Sequence, residues 1–417
     1  MAPKLQPVRG THDILPAQMR KHRRIIDTAR GVAEVNGFEE VETPIFEKTE
    51  VFSRTLGDTS DVVTKEMYTF EDRGGESITL RPEGTAGVAR ALISNGLQQN
   101  LPLKYFYAGP MFRYERPQAG RLRQFTQTGV EYLGDATPWA DGIVILTGIE
   151  FLQELGLWER CTLEINTLGD GPSRNAYRAA LVEYLEKYRD ALSPESQARL
   201  ARNPLRILDS KDDGDRAIIA DAPLFSSYLS DDARIFFDMV RSFITLRGIS
   251  AEVNPHLVRG LDYYCHTAFE ITCQELGAQK TVLAGGRYDG LIETMGGPAV
   301  PGVGWASGVE RLALLLGDQP KPSLVAVIVA GDGAEFVLAS KVVDSLRKDK
   351  VICEIIGMAK LQKALARANK LNARWAVIIG EQEARQNKYS LKDMESGEQG
   401  LVTLDELRNA IRNRQLA

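Results

Sequence analysis

Cysteine and histidine are both scarce, at four each in 417 residues. Cys161, Cys265, Cys273 and Cys353 lie far apart, and no pair has CxxC spacing. That argues against a zinc knuckle and against a disulfide framework, and reads as four reduced, partly buried thiols of a cytosolic protein. His12, His22, His256 and His266 form no HExxH or HxH cluster, so no His-rich metal centre is expected. No apolar run approaches the roughly 18 residues of a membrane span. The N-terminal residues through Asp13 lack the apolar stretch of a secretion signal. A basic excess is missing too: 51 Lys and Arg face 56 Asp and Glu, a net of −5. Taken alone, that balance argues against a general polyanion binder. Internal repeats and low-complexity stretches are also absent.

What is present is an ordinary globular composition, 43% hydrophobic and 26% charged, over a length that suggests two or three domains at about 150 residues each. Asp318-Gln-Pro-Lys-Pro322 reads as a linker. Beyond it, strand-like Leu324–Ala330, Val351–Ile356 and Trp375–Ile379 alternate with helical Glu335–Lys348 and Lys360–Leu371. Thr403-x-x-Glu406 has the form of a capping box opening a last helix. This alternation predicts a small α/β domain with a mainly parallel sheet. Before the linker, Pro16–Val35 has helical apolar spacing and is stopped by Asn36-Gly37. Met67–Asp72 and Ser77–Pro82 read as a hairpin, and Leu103–Glu115 and Arg121–Gly134 as two longer strands. Residues from about 171 to 250 read as mostly helical, and strands return at Thr267–Thr272. An antiparallel sheet flanked by helices and interrupted by a helical insertion is the expected body.

Three groups of residues carry chemistry. On the long hairpin, period-two alternation puts Arg123, Phe125, Gln127, Gly129 and Glu131 on one face. Tyr105, Tyr107, Met111, Arg113 and Glu115 share a face of the other strand. A wall this polar is not expected to pack on a core, and Gly129 would leave room for a ligand; a solvated sheet face is the alternative. Arg259-Gly-Leu-Asp-Tyr-Tyr264 joins a cation to two phenols, or is a turn with two core tyrosines. Gly302–Gly308 runs into an apolar helix whose first turn holds Arg311. The helix dipole disfavours a cation there, so either a bound anion or a nearby carboxylate must offset it. The glycine pattern fits neither a dinucleotide fold nor a P-loop. Three arginines on separate elements suggest a polyphosphate site. Two acidic residues and two tyrosines suggest a small, polar, cationic co-substrate.

With these residues in view, the sequence resembles the bacterial histidyl-tRNA synthetase family of class II aminoacyl-tRNA synthetases over essentially its whole length. The matching segments are Arg9–Pro16, the class II first motif ending in Pro44, Arg81-Pro-Glu-Gly-Thr85, the second motif Phe112–Pro117 through Glu131, Asn203–Asp209, Arg259–Tyr264, Gly285–Gly290 and the third motif through Arg311. The class II motifs are degenerate, whereas Arg81–Thr85 together with Arg259–Tyr264 is specific to the histidine family.

The resemblance implies a class II catalytic domain over 1–320, with the helical insertion, and an anticodon-binding domain over 324–417. It implies activation of L-histidine with ATP to histidyl-adenylate and pyrophosphate, then transfer of histidine to tRNA(His). Arg113 and Arg259 would hold the α-phosphate and Arg311 the γ-phosphate; Phe125 would stack on adenine. Mg²⁺ would bridge the phosphates through Glu115 or solvent, with no zinc site. Glu83, Thr85 and Gln127 would bind the ammonium group. Glu131 and Tyr264 would take the two imidazole nitrogens, with Tyr263 and Gly285–Gly290 closing the pocket. Pairing both ring nitrogens can reject analogues by about 10⁴–10⁵ without editing. Gln118, Arg121 and Arg123 would meet the tRNA acceptor end. A cytoplasmic homodimer built through the first motif is expected. The rival is the non-charging paralogue that regulates ATP phosphoribosyltransferase, but such paralogues typically lack the C-terminal domain and lose motif residues. A tRNA-sensing regulatory domain ranks lower, because no kinase segment is attached.

Overall fold

Alternating burial along strands builds the first of two units, Met1–Asp318; the second is Gln319–Ala417. The computed structural model describes residues 4–55, 62–258, 263–331, 333–357 and 360–415. Strands of the first unit are β1 (Glu39–Glu40), β2 (Phe46–Lys48), β3 (Tyr68–Glu71), β4 (Ser77–Leu80), β5 (Leu103–Phe112), β6 (Gln124–Leu133), β7 (Cys161–Thr167), β8 (Ala251–Val253), β9 (Cys265–Cys273), β10 (Thr281–Arg287) and β11 (Gly302–Gly308). Eight of them form one sheet in the order β1-β5-β6-β11-β10-β9-β7-β8. Its inner ladders are antiparallel, and only the edge pairs β1–β5 and β7–β8 run parallel. β3 and β4 form the expected hairpin, joined by β2 in a small sheet.

The two faces of the large sheet differ in chemistry. Phe106, Val130, Leu163, Ile165, Phe269, Ile271, Val303 and Trp305 belong to the main core. Helices Pro16–Val35, Pro138–Glu154 and Asp231–Leu246 add Ile25, Ala29, Val144, Ile149, Phe237 and Val240 to it. Each of the larger of these side chains contributes roughly 1.5–3 kcal/mol on burial. The intervening strand residues point to the other face, where the polar side chains gather.

Helix Pro16–Val35 has the limits its pattern predicts. Proline pre-sets the first turn, and Gly37, at a φ of 78°, ends it beyond Asn36. The segments Gly171–Glu186, Pro194–Arg202 and Asp213–Ile219 close on a separate core of Tyr177, Leu181, Leu185, Leu200, Ile207 and Phe225. Asp231–Leu246 instead returns to the main core.

Two sequence expectations are corrected here. The long strands stop at Phe112 and start at Gln124, because Tyr114 N–H turns to the Glu66 carbonyl at 2.7 Å and Arg123 N–H to the Gly10 carbonyl at 2.8 Å instead of continuing the ladder. The four thiols are not all isolated. Cys161 and Cys273 face each other across the β7–β9 ladder, 4.6 Å apart at Cα, and form a disulfide, leaving Cys265 and Cys353 free. Sequence spacing carries no information about neighbours across a ladder.

The second unit contains β12 (Leu324–Val329), β13 (Cys353–Gly357), β14 (Ala373–Ile379), β15 (Tyr389–Asp393) and β16 (Gln399–Val402), ordered β13-β12-β14-β15-β16. β12 is buried at every position because both faces are covered. Val325, Val327 and Val329 meet Leu338, Val342 and Leu346 of helix Ala334–Lys348, whereas Ala326 and Ile328 meet Ala364 and Ala368 of helix Leu361–Lys370. β12–β14 pair in parallel as expected, and β15–β16 add an antiparallel hairpin that the sequence pattern did not announce. Thr403 and Glu406 form the expected capping box. The Glu406 carboxylate accepts from Thr403 N–H at 2.8 Å, and Thr403 Oγ1 accepts from Glu406 N–H at 3.3 Å.

Candidate active site

A cavity of about 330 Å³ opens on the polar face of the large sheet. Of the expected residues, it brings together Glu83, Thr85, Arg113, Glu115, Arg121, Phe125, Gln127, Tyr263, Tyr264 and Arg311. Glu131 joins its inner end through Thr85 and through Gly304, a lining residue whose added Cβ would strike the Glu131 carboxylate. Arg259 lies outside the described residues.

The turn Arg81–Thr85 is pinned before it contributes anything. Arg81 is buried and donates to the Pro110 and Thr43 carbonyls at 2.9 and 2.6 Å. From the end of β5, Arg113 Nε donates to the Pro82 carbonyl at 2.8 Å. Glu83 is thereby set at the start of helix Thr85–Ser94, where it accepts from the N–H groups of Thr85 and Ala86 at 2.6 and 2.8 Å. A carboxylate suits a helix N-terminus, yet burial still pushes the Glu83 carboxyl above its usual range.

Glu131 is the most perturbed carboxyl of the site. It is 1% exposed, and burial raises it to about 8. Hydroxyl donors oppose that rise: Thr85 Oγ1 donates at 2.6 Å to one oxygen, and the Tyr288 hydroxyl donates to the other. Tyr263, Tyr264 and Tyr288 pack around this end, with centroids 4.5 Å apart for the first pair and 5.8 Å for Tyr263 and Tyr288. Gln127 Oε1 is buried without a hydrogen-bond donor among the described residues. An orphaned acceptor in a cavity beside two buried carboxyls calls for a ligand with N–H groups.

The opposite end is cationic. Arg311 donates to the Thr281 carbonyl at 2.5 Å and makes no ion pair among the described residues; burial lowers its pKa. The sequence left open a carboxylate partner for Arg311; among the described residues none forms an ion pair with it, although Glu115 and Glu270 lie near enough to favour its charge. Its neighbour Glu310 instead accepts from Thr126 N–H at 2.9 Å, tying helix Val309–Leu315 to β6. The Arg113 guanidinium lies 5.3 Å over the Phe125 ring and 4.0 Å from Glu115. Glu115 is buried and ion-paired with Arg121. A half-buried guanidinium that makes no direct ion pair is the arrangement that a phosphate completes.

Several expectations about the wall need revision. Tyr105, Tyr107 and Met111 do oppose Glu131, Gly129 and Phe125 in register. However, Tyr107 and Met111 are buried in an apolar cluster, so this face does pack on a core. Gly129 makes room for the Tyr107 ring rather than for a ligand, since a Cβ there would sit 2.6–2.7 Å from that ring and its hydroxyl. In the loop 116–123, Gln118 and Arg121 pair backbone to backbone at 3.0 Å. Arg121 turns in to Glu115, and Arg123 stacks 3.8 Å over Tyr114, while Gln118 stays exposed. Sequence reasoning missed Glu270 in the cavity lining and the Tyr288–Glu131 contact. The signal for Tyr288 was only its place in the Gly285–Gly290 segment.

No group of three or more His, Cys, Asp or Glu placed to hold a metal occurs among the described residues. Glu115 and Glu270 both line the cationic end. That donor set fits Mg²⁺ shared with phosphates, which needs only one or two carboxylates.

Known proteins resemble this chain closely. Residues 10–312 match the family model for histidyl-tRNA synthetase, and residues 324–414 match that for an anticodon binding domain. A histidine–tRNA ligase of Rhodospirillum rubrum is 56% identical over 96% of this chain and 98% of its own. One from Gluconacetobacter diazotrophicus is 54% identical, covering 96% and 97%. The apo crystal structure of Staphylococcus aureus histidyl-tRNA synthetase is 35% identical with a TM-score of 0.81, covering 97% of this chain and 98% of that one.

Proposed function

The chain belongs to the histidyl-tRNA synthetase family, and from that premise we propose how its cavity does the work of a histidine–tRNA ligase. Near full-length identity to ligases, with both domains matched, makes it a charging enzyme and not the regulatory paralogue. The observation that carries the site reading is one cavity with buried carboxyls at one end and half-buried arginines at the other.

Histidine enters the carboxyl end. Its ammonium group donates to Glu83 and Gln127, and its ring nitrogens meet Glu131 and Tyr264. Tyr263 closes over the ring. ATP lies along the cationic end, adenine against Phe125, with Arg113 on the α-phosphate and Arg311 on the γ-phosphate. Arg259 shares the α-phosphate, a role that rests on the sequence resemblance. A carboxylate oxygen of histidine attacks the α-phosphorus as the bond to the β-phosphate oxygen breaks, giving histidyl-adenylate and pyrophosphate. Fixed guanidiniums stabilise the charge that builds on the phosphoryl oxygens without reorganising. Mg²⁺ bound with the phosphates would neutralise part of their charge, held by Glu115 and Glu270. The terminal ribose hydroxyl of tRNA(His) then attacks the acyl carbon and AMP leaves. Gln118, Arg121 and Arg123 would guide the acceptor end, with Arg121 exchanging its Glu115 partner for RNA phosphate.

A homodimer is part of this reading. Phe46 and Phe70, on the small sheet after the first motif, are 56% and 48% exposed, as a subunit interface would use them. Sedimentation at the mass of one chain would contradict it. The test of the phosphate reading is Arg311→Ala in histidine-dependent ATP–pyrophosphate exchange. Loss of one preorganised donor should lower turnover by about 10²–10³. Near-normal exchange would remove Arg311 from the role.

A further inference from the structure

The carboxylate placed at the imidazole does not hold its own position. Glu131 sits near the end of β6, opposite Tyr105 on β5 and opposite Gly304 on β11. Gly304 leaves room for it on that side, because a Cβ there would strike the carboxylate and the Val130 carbonyl. On the other side its two oxygens are divided between two hydroxyls. Thr85, at the first turn of helix Thr85–Ser94, donates to Oε1 at 2.6 Å, and Tyr288, just after β10, donates to Oε2. Tyr288 is 1% exposed, and its ring fills the space that the absent side chain of Gly302 leaves. Two donors from separate elements therefore meet one carboxyl across 46 and 157 residues of sequence.

We propose that Tyr288 is a positioning residue for amino-acid selection, its hydroxyl acting with that of Thr85 to fix the Glu131 carboxylate as a charged acceptor aimed at the ring N–H of histidine. This rests on Glu131 being the ring's acceptor. The physical reason is that burial favours the neutral acid, which would present a hydroxyl and lose the geometry of an acceptor. Hydrogen bonds to the charged form oppose this. The titratable groups around Glu131 are Glu83 from the Arg81–Thr85 turn, Tyr107 from β5, Tyr263 and Tyr264 before β9, and Tyr288 itself. Glu83 makes ionisation of Glu131 harder, and the phenols of Tyr107, Tyr263 and Tyr288 stay neutral because burial raises them, so among the described residues it is donated hydrogen bonds that favour its charge.

The test is Tyr288→Phe in the full-length enzyme, read by histidine-dependent ATP–pyrophosphate exchange from pH 6 to 9. Losing a donor to a charged group should raise KM for histidine about 10- to 100-fold near neutral pH. KM for ATP should hold, and the acid limb of kcat/KM for histidine should move to higher pH. Thr85→Val should move that limb the same way, which keeps the test decisive if the tyrosine variant folds poorly. An unmoved acid limb, or equal losses for ATP and histidine, would overturn the proposal. Glu131→Gln separates the two levels. A normal histidine KM in that variant removes the underlying placement of Glu131. A large loss there beside a normal Tyr288→Phe enzyme removes only the role of Tyr288.

Discussion

At the scale of single residues, the proposed recognition of histidine turns on Glu131. Its carboxyl, raised to about 8 by burial, would have to be charged to accept from an imidazole as proposed. The raised value means that the folded protein holds this proton more tightly than the unfolded chain does. The group therefore stabilises the empty enzyme most at low pH, and that contribution fades as pH rises through the window from 4.5 to about 8. Histidine binding has the opposite sign, because it needs the proton gone. Affinity for histidine should rise from pH 6 to 8.5 with proton release, measurable by calorimetry in buffers of different ionisation heat. Flat affinity across that range would contradict the assignment. The alternation of side chains on one strand was enough to put Phe125, Gln127 and Glu131 on a single wall. Nothing local could reveal that Tyr288 meets Glu131, because that contact joins residues 157 apart.

Among elements, the hidden polar contact between sheet and helix matters most. Arg287, at the end of β10, and Asp141, in helix Pro138–Glu154, are both fully buried. Arg287 donates to Asp141 at 2.7 and 3.0 Å, to Asp289 at 3.0 Å, and to the carbonyls of Asp135 and Thr137 at 3.0 and 3.1 Å. Every guanidinium nitrogen is engaged, so removing Asp141 leaves Nε of a fully buried cation without an acceptor and Asp289 as its one remaining carboxylate among the described residues. Asp141→Ala should destabilise the first unit by about 3–5 kcal/mol, seen as a lower denaturant midpoint by tryptophan fluorescence. An unchanged midpoint would mean the pair is dispensable. Element positions were legible where periodicity is strong, as in Pro16–Val35 and β12. They were blurred where a loop resumes polar alternation, as at residues 113–123. The β15–β16 hairpin and the Cys161–Cys273 pairing stayed invisible because tertiary register decides both.

Across the whole molecule, the scarcity of histidine and cysteine fits a site that depends on arginines. The net charge of −5 hides an uneven distribution: 15 Lys and Arg against 12 Asp and Glu from Leu324 onward give +3, so the remainder carries −8. An RNA partner does not require a basic total, since a few arginines can grip phosphates locally. Each unit has its own apolar core, which is what allows chemistry and RNA recognition to be divided between them. The proposed function requires that this cavity select histidine and pass it to one tRNA. The most direct measurement charges a total tRNA pool with each amino acid in turn. Charging is expected with histidine and with no other amino acid. Charging with a different amino acid, or no charging by well-folded enzyme, would contradict it.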